Sequence, residues 1–290
     1  MLPPLVRLNN LFPKFEVFAK CEFLAPSGCF KIRGAMHLLE RLAKQAKKPD
    51  LVVPSSGNTA VGAAVAANAL GFRMTGVVPE SIAKAKDDKL RALGVKLVKI
   101  PGGSTQLLQH AKDLAEKQGG YFVHPHLDPN WTNGYRAIAD EILQALPECR
   151  TIVFPLGGGG LLMGLSQHIR KHAPTVKLVG CEPYNYPKYA KFEHARMATI
   201  ADGLLIETPH PVVQQRIAED RIDVVLVPDA IIRIALKEVF KSQGLFIEPS
   251  SAITLALLLT HHACQLAEPI VTVLTGQNIL FEDHAKVTAD

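Results

Sequence analysis

Thr151-Ile152-Val153-Phe154-Pro155-Leu156-Gly157-Gly158-Gly159-Gly160-Leu161 is the stretch on which the fold turns. Apolar residues with β-branched character run from Thr151 to Phe154 and predict a buried strand. A helical pattern follows over 161–172. Between them stand four consecutive glycines, which cost conformational entropy that an ordinary turn does not require. A bare backbone at the positive end of a helix suits a phosphate group.

The same strand–turn–helix rhythm extends outward in both directions. Strands are predicted at 16–20, 51–53, 74–78, 96–100, 121–123, 151–154, 177–180, 223–227 and 270–274. Most are short and apolar on both faces, as strands of a covered parallel sheet are. Helices are predicted at 34–46, 59–70, 84–93, 105–118, 135–145, 161–172, 230–243 and 252–262. Gly71, Gly94, Gly119 and Gly244 fall where helix C-caps are expected. Alternation at this spacing gives an α/β fold with parallel sheets.

Composition narrows the function classes. The 290 residues are 48% hydrophobic and 20% charged, a soluble globular profile with room for two intimate domains. The formal net charge of +5 is spread in small clusters such as Lys44, Lys47 and Lys48, or Lys84, Lys86 and Lys89. Such clusters are solvated helix faces rather than a nucleic-acid footprint, although a mildly basic chain favours small anions. Residues 1–20 are broken by Pro3, Pro4, Arg7, Pro13 and Lys14, so no secretory leader is expected. The apolar run 253–259 is too short to cross a bilayer, and no membrane association is expected. Five cysteines, an odd number without metal-ligand spacing, predict reduced thiols in a cytoplasmic protein.

Three more segments fall at strand–helix junctions, where ligands of such sheets bind. In Pro26-Ser27-Gly28-Cys29-Phe30-Lys31-Ile32-Arg33-Gly34-Ala35 a lysine stands at the mouth of a helix. Burial and the helix dipole both lower a lysine pKa and make its amine a nucleophile or base, while an ordinary first-turn lysine would look the same alone. Pro54-Ser55-Ser56-Gly57-Asn58-Thr59-Ala60 points hydroxyls and N–H groups at one spot, which suits a carboxylate, or else forms a polar cap. Leu274-Thr275-Gly276-Gln277-Asn278 puts a neutral hydroxyl at the end of the last strand, or forms a capping turn.

These four segments, in this order, resemble the fold-type II pyridoxal-phosphate enzymes. That group includes serine/threonine dehydratases, serine racemase, threonine synthase and cysteine synthase. The resemblance runs from Pro4-Leu5-Val6-Arg7-Leu8 to Asn278. It implies a two-domain α/β fold with parallel sheets and pyridoxal 5'-phosphate in the interdomain cleft. The large cofactor domain would be 1–52 with 129–290, and the small carboxylate-binding domain 53–128. Lys31 would form the Schiff base, with Phe30 packed beside the cofactor and Asn58 on its phenolic oxygen. Gly157, Gly158, Gly159, Gly160 and Leu161 would hold the phosphate, and Thr275 would meet the pyridine nitrogen. Ser55, Ser56, Gly57, Asn58 and Thr59 would bind the substrate carboxylate, with Ser56 also placed as a base on the opposite ring face. A homodimer is implied by resemblance alone.

Within the group the chain is similar to several branches. Ala201-Asp202-Gly203 and Phe246-Ile247-Glu248-Pro249-Ser250-Ser251-Ala252 resemble the dehydratases. Pro4–Leu8 and the 56–59 turn resemble cysteine or threonine synthase, and Asn130-Trp131-Thr132-Asn133-Gly134-Tyr135-Arg136 resembles threonine synthase. The expected reaction is β-elimination from a serine- or threonine-class amino acid, giving a 2-oxo acid and ammonia. A β-replacement synthase stands as the alternative. A silent cofactor-binding regulatory protein and a nicotinamide dehydrogenase stand outside that class. The last is weakened because no register of residues 157–164 satisfies G-x-G-x-x-G.

Cys29 replaces the usual serine two residues before the lysine and is read as a small buried filler. Metal-binding relatives hold a cation near the motif Gly180-Cys181-Glu182-Pro183. Here Lys188 stands where an acid is usual, and its ammonium is expected to take the cation's place against Glu182. No resident metal is expected. His124 and His126 alternate without an evident third ligand, and His261-His262 reads as a helix end. Trp131 reads as packing or as part of the rim of the site.

Overall fold

The computed structural model describes residues 2–124, 126–190 and 197–289. Pro125, between the two alternating histidines, lies outside them. The chain divides into two compact units, one of Met1–Gly28 with Arg136–Asp290 and one of Cys29–Tyr135. The second is wider at both ends than 53–128. The helix Lys31–Leu42 packs on the helix Asn58–Leu70, and the segment Pro129–Tyr135 packs on Lys31–Leu42.

The strands, in chain order, are β1 Leu5–Arg7, β2 Val17–Lys20, β3 Leu51–Val53, β4 Met74–Pro79, β5 Lys96–Ile100, β6 Tyr121–Phe122, β7 Thr151–Pro155, β8 Lys177–Pro183, β9 Asp223–Val227 and β10 Ile270–Val273. In the Cys29–Tyr135 unit the sheet order is β5-β4-β3-β6, all parallel. Val52 and Val77 meet Ala111 and Ala115 of the helix Ser104–Gln118 in its core. The helix Asn58–Leu70 buries Ala60, Ala63, Ala64, Ala66 and Ala67, so it is apolar on nearly every side and lies close to its neighbours. Gly71 ends it at φ +66°, a left-handed cap that a side chain would strain.

In the other unit the order is β1-β2-β10-β7-β8-β9, parallel except for the β1–β2 pair. All ten residues of the helix Pro249–Leu258 are buried, and its apolar side chains join Val153, Val179 and Ile270 in one core. This helix begins three residues before the expected 252, because Pro249 serves as its first residue after Glu248. It ends at Leu258, and His261 and His262 sit in a separate short turn capped by Thr260. The edge strand β1 and the helices Pro211–Glu219 and Phe281–Thr288 were not among the expected elements. Each is short, and each keeps most of its residues at least partly exposed, so its apolar pattern is faint.

The C-terminal end of β8 carries a buried ion pair. Lys188 Nζ lies 3.2 Å from Glu182 Oε1, with both side chains at 0% exposure. The Glu182 carboxylate also accepts from the backbone N–H groups of Lys188, Tyr189 and Ala190 at 3.0–3.1 Å. The ammonium donates to the Tyr186 carbonyl at 3.3 Å. Four of the five cysteines are buried, and burial pushes the Cys21 and Cys149 thiols up to about 12, which leaves them unreactive.

Lys188→Met keeps the bulk but strands a buried carboxylate, and a loss of about 3–5 kcal/mol is expected in urea unfolding. A loss within experimental error would show that the pair does not brace this edge. His284, whose ring lies 4.4 Å from that of Phe246 at a 32° tilt, has its pKa lowered by burial from 6.5. The unfolded chain therefore binds the proton first, so stability held above pH 6.5 falls as pH drops through the lowered folded value. His284→Phe is expected to lose less stability than the parent between pH 7 and pH 5, measured as unfolding midpoints (about the range in which histidines titrate).

Candidate active site

In the Cys29–Tyr135 unit, Lys31 is the first residue of its helix, three residues earlier than the expected 34. Its Nζ lies 4.9 Å from the centroid of the Phe30 ring. The turn after β3 delivers Ser55, Ser56 and Gly57 to the N-terminus of the helix Asn58–Leu70. Ser55 Oγ accepts from Gly57 N at 3.2 Å and fixes the turn. Thr59 is buried in the first helical turn.

Two contacts bring the lysine segment and this turn together. A Cβ at Gly62 would stand 2.9 Å from the Lys31 carbonyl carbon and from its Cβ, so only glycine admits the lysine backbone there. Cys29 Sγ, fully buried, donates to the Asn58 carbonyl at 3.7 Å. Cys29 is thus a filler, as expected, and also a tie between the two segments. Gly62 escaped the sequence reading, although its place among alanines in a helix of small residues is a signal of close helix packing.

In the other unit, the glycine run leaves β7 and opens the helix Gly160–His172, with Gly159 at φ +84° as its cap. The N–H groups of Gly157, Gly158 and Gly159 make no hydrogen bond among the described residues. Gly160 and Leu161 lie in the first helical turn, where N–H groups have no helical acceptor. The two dehydratase-like segments brace this loop. A Cβ at Gly157 would lie 3.3 Å from Leu204 Cα, and Gly203 N donates to Ser250 Oγ at 3.0 Å.

Thr275 follows β10 and is buried, and its hydroxyl has no partner among the described residues. Next to it a Cβ at Gly276 would lie 2.6 Å from Glu248 Oε1, and Glu248 N donates to the Gly276 carbonyl at 3.0 Å. Gln277 N donates to the Gly28 carbonyl at 3.0 Å and Asn278 Nδ2 to the Ser27 carbonyl at 3.1 Å. This clasp holds the turn just before the lysine segment. Neither Gln277 nor Asn278 carries a role legible in the sequence, because a clasp across 251 residues leaves no local pattern.

Other features resolve as packing. His124 Nδ1 accepts from the N–H groups of His126 and Leu127 at 3.1–3.2 Å, a local turn. Trp131 is buried, and its indole lies where a Cβ at Gly34 would be.

The donors present fit pyridoxal phosphate. Three unspent glycine N–H groups at a helix N-terminus suit a phosphate ester. The hydroxyl of Thr275, without a partner among the described residues, suits a ring nitrogen. Lys31, with the Phe30 ring beside its Nζ, would supply an amine for the aldehyde.

Comparison with known proteins gives the same picture. The family model described as pyridoxal-phosphate dependent enzyme matches residues 3–276. An L-threonine ammonia-lyase of Geobacter sulfurreducens is 32% identical over 274 residues, covering 91% of this chain and 67% of the relative. The solved structure of the processed form of threonine deaminase isoform 2 from Solanum lycopersicum superposes with a TM-score of 0.89 at 27% identity, covering 99% of this chain and 82% of that one. Maize serine racemase matches with a TM-score of 0.89 at 25% identity, covering 99% and 91%. The expected α/β fold and cofactor are borne out, and the nicotinamide alternative is displaced. The chain is a member of the pyridoxal-phosphate-dependent enzyme family.

Proposed function

We propose that this enzyme is an ammonia-lyase acting by β-elimination on a serine- or threonine-class hydroxy amino acid. The observation that carries the reading is the packing of the two dehydratase-like segments, around Gly203 and Ser250, against the glycine loop and Thr275-Gly276. The named activities of the ammonia-lyase and deaminase relatives support it.

Pyridoxal phosphate, when bound, supplies an aldehyde for the substrate amine and a ring that draws electron density from Cα. Lys31 would hold the cofactor covalently through its side-chain amine. The same Lys31 amine would take the substrate Cα proton. Phe30 and Asn58 would border the cofactor, Asn58 at its phenolic oxygen. Gly157, Gly158, Gly159, Gly160 and Leu161 would hold its phosphate. Ser55, Ser56, Gly57, Asn58 and Thr59 hold the substrate carboxylate and so fix which Cα bond faces Lys31. Ser56 would hold a proton on the other face, and slow racemisation would then be a side reaction. The Thr275 hydroxyl would donate a hydrogen bond to the ring nitrogen without giving it a full proton, which would leave a moderate electron sink and favour prompt loss of the β-hydroxyl. In net terms the β C–O bond breaks, water is lost and later regained, and a 2-oxo acid and ammonia leave.

The part that holds carboxylate is read as 53–128, and the part that holds cofactor as 1–52 with 129–290. The enzyme is read as a cytoplasmic homodimer. Among the described residues no helix is long and apolar enough to cross a membrane. The Lys188 ammonium is read as standing in for a cation against Glu182, so chelator and magnesium are expected to leave thermal stability unchanged. A magnesium-dependent rise would contradict this.

Two measurements test the activity. Serine, threonine, substituted serines and O-acetylserine, each with and without a thiol, are offered to the cofactor-loaded enzyme while ammonia and 2-oxo acid are followed. Release of both from serine or threonine is expected, and thiol-dependent product without ammonia would make the enzyme a synthase. Lys31→Ala should lower turnover by at least about 10²-fold and leave the circular dichroism spectrum intact, and retained turnover would remove Lys31 from its role.

A further inference from the structure

Trp131 and Tyr135 form a buried pair that neither the packing of the sheet nor the chemistry above requires. Trp131 Nε1 donates to the Tyr135 hydroxyl at 2.5 Å, and the two residues are 1% and 0% exposed. The Tyr135 ring lies 4.9 Å from the Phe30 ring at a 43° tilt. The Phe30 ring in turn faces the Lys31 amine at 4.9 Å. Two glycines make room for this arrangement. A Cβ at Gly34 would stand 2.5 Å from the indole nitrogen, and one at Gly134 would overlap the Arg33 carbonyl oxygen. The segment carrying Trp131 is itself fixed, since Asp128 caps it through Asn130 N and accepts from the Tyr121 hydroxyl, both at 2.8 Å.

A phenylalanine at 135 would fill the same space without a hydroxyl to desolvate. Burying a phenol is unfavourable unless it is hydrogen-bonded, and a single bond of this kind fixes a ring in one orientation. A lysine amine, at the end of four flexible methylenes, is placed by whatever its last few atoms touch. Here one of those contacts is the Phe30 face, which attracts an ammonium and whose own orientation is set from behind by Tyr135.

We propose that the hydrogen-bonded pair Trp131–Tyr135 positions the Lys31 amine through the ring of Phe30, and thereby sets how readily that amine reacts with an aldehyde. The pair touches no reacting atom, so both members are positioning residues. The identity of the aldehyde as pyridoxal phosphate rests on the function proposed above, whereas the placement of the amine does not. Because Trp131 is the only tryptophan in the chain, its fluorescence reports on this place alone.

Trp131→Phe, Tyr135→Phe and the double variant test it, as full-length protein with and without pyridoxal phosphate. Three readings are taken: the acetylation rate of Lys31 by mass spectrometry without cofactor, the growth of cofactor absorbance on loading, and kcat separately from KM. Each single variant is expected to alter Lys31 acetylation relative to the other lysines and to slow loading and kcat about tenfold, with the amino-acid KM unchanged. Because the pair acts as one unit, the double variant should be no slower than the slower single variant. Near-UV circular dichroism checks the fold. Should Tyr135→Phe unfold, a fluorinated tyrosine at position 135 keeps the shape, weakens the acceptor and should show the same direction of change. Wild-type values in Tyr135→Phe for acetylation, loading and kcat would overturn the proposal, as would fully additive losses in the double variant. If the parent protein loads no cofactor yet Lys31 acetylation still responds to Tyr135→Phe, the lyase reading fails and the positioning role stands.

Discussion

The backbone of Lys31 lies where Gly62 has no side chain, and the rest of the lysine's surroundings depends on that approach. The first turn of the helix Lys31–Leu42 can reach the helix Asn58–Leu70 only because the latter is built of alanine and glycine. Once the two helices meet, Lys31 and the Ser-Gly-Asn-Thr turn share one neighbourhood. Cys29 closes the contact from one side by its bond to the Asn58 carbonyl. Trp131 fills the gap left by Gly34 from another. Packing density does the work here, since interiors tolerate neither a void nor an extra methyl group.

The other unit follows a complementary logic. There the important groups are backbone donors left unspent at the end of β7 and a neutral hydroxyl at the end of β10. Unspent donors are costly inside a protein and persist only where a ligand or water meets them. Gly203, Leu204, Ser250 and Glu248 hold the loop and the hydroxyl segment in shape without using those donors. Charge is handled by pairing. Glu182 spends its oxygens on one ammonium and three N–H groups, so the end of β8 carries no net buried charge from this pair.

A good part of this was legible in the residues. Strands such as 51–53, 96–100 and 223–227 carry dense apolar runs, and their observed bounds match. Gly71, Gly119 and Gly244 stop their helices in left-handed conformations, because only glycine adopts them without strain. Gly94 falls one residue beyond the cap of its helix, with φ +76°. The pairing of Lys188 with Glu182 was anticipated from the family resemblance, which puts Lys188 at a cation-ligand position where an acid is usual. Less visible were β1, whose few residues alternate on an exposed edge, and the start of the lysine helix, where Gly34 looked like an entrance and is instead a contact point.

The sequence by itself determined the alternation of strands and helices, the chemical kinds of group at each junction and the family to which they belong. Those properties are local, written in side-chain periodicity, in turn chemistry and in the order of a few short segments. Only the tertiary structure decided that Gly62 receives Lys31, that Asn278 clasps Ser27 and that Tyr135 stands behind Phe30. Each of these joins residues whose meeting is set by how helices and strands pack, and packing depends on the combined shape of many side chains rather than on any run of neighbours.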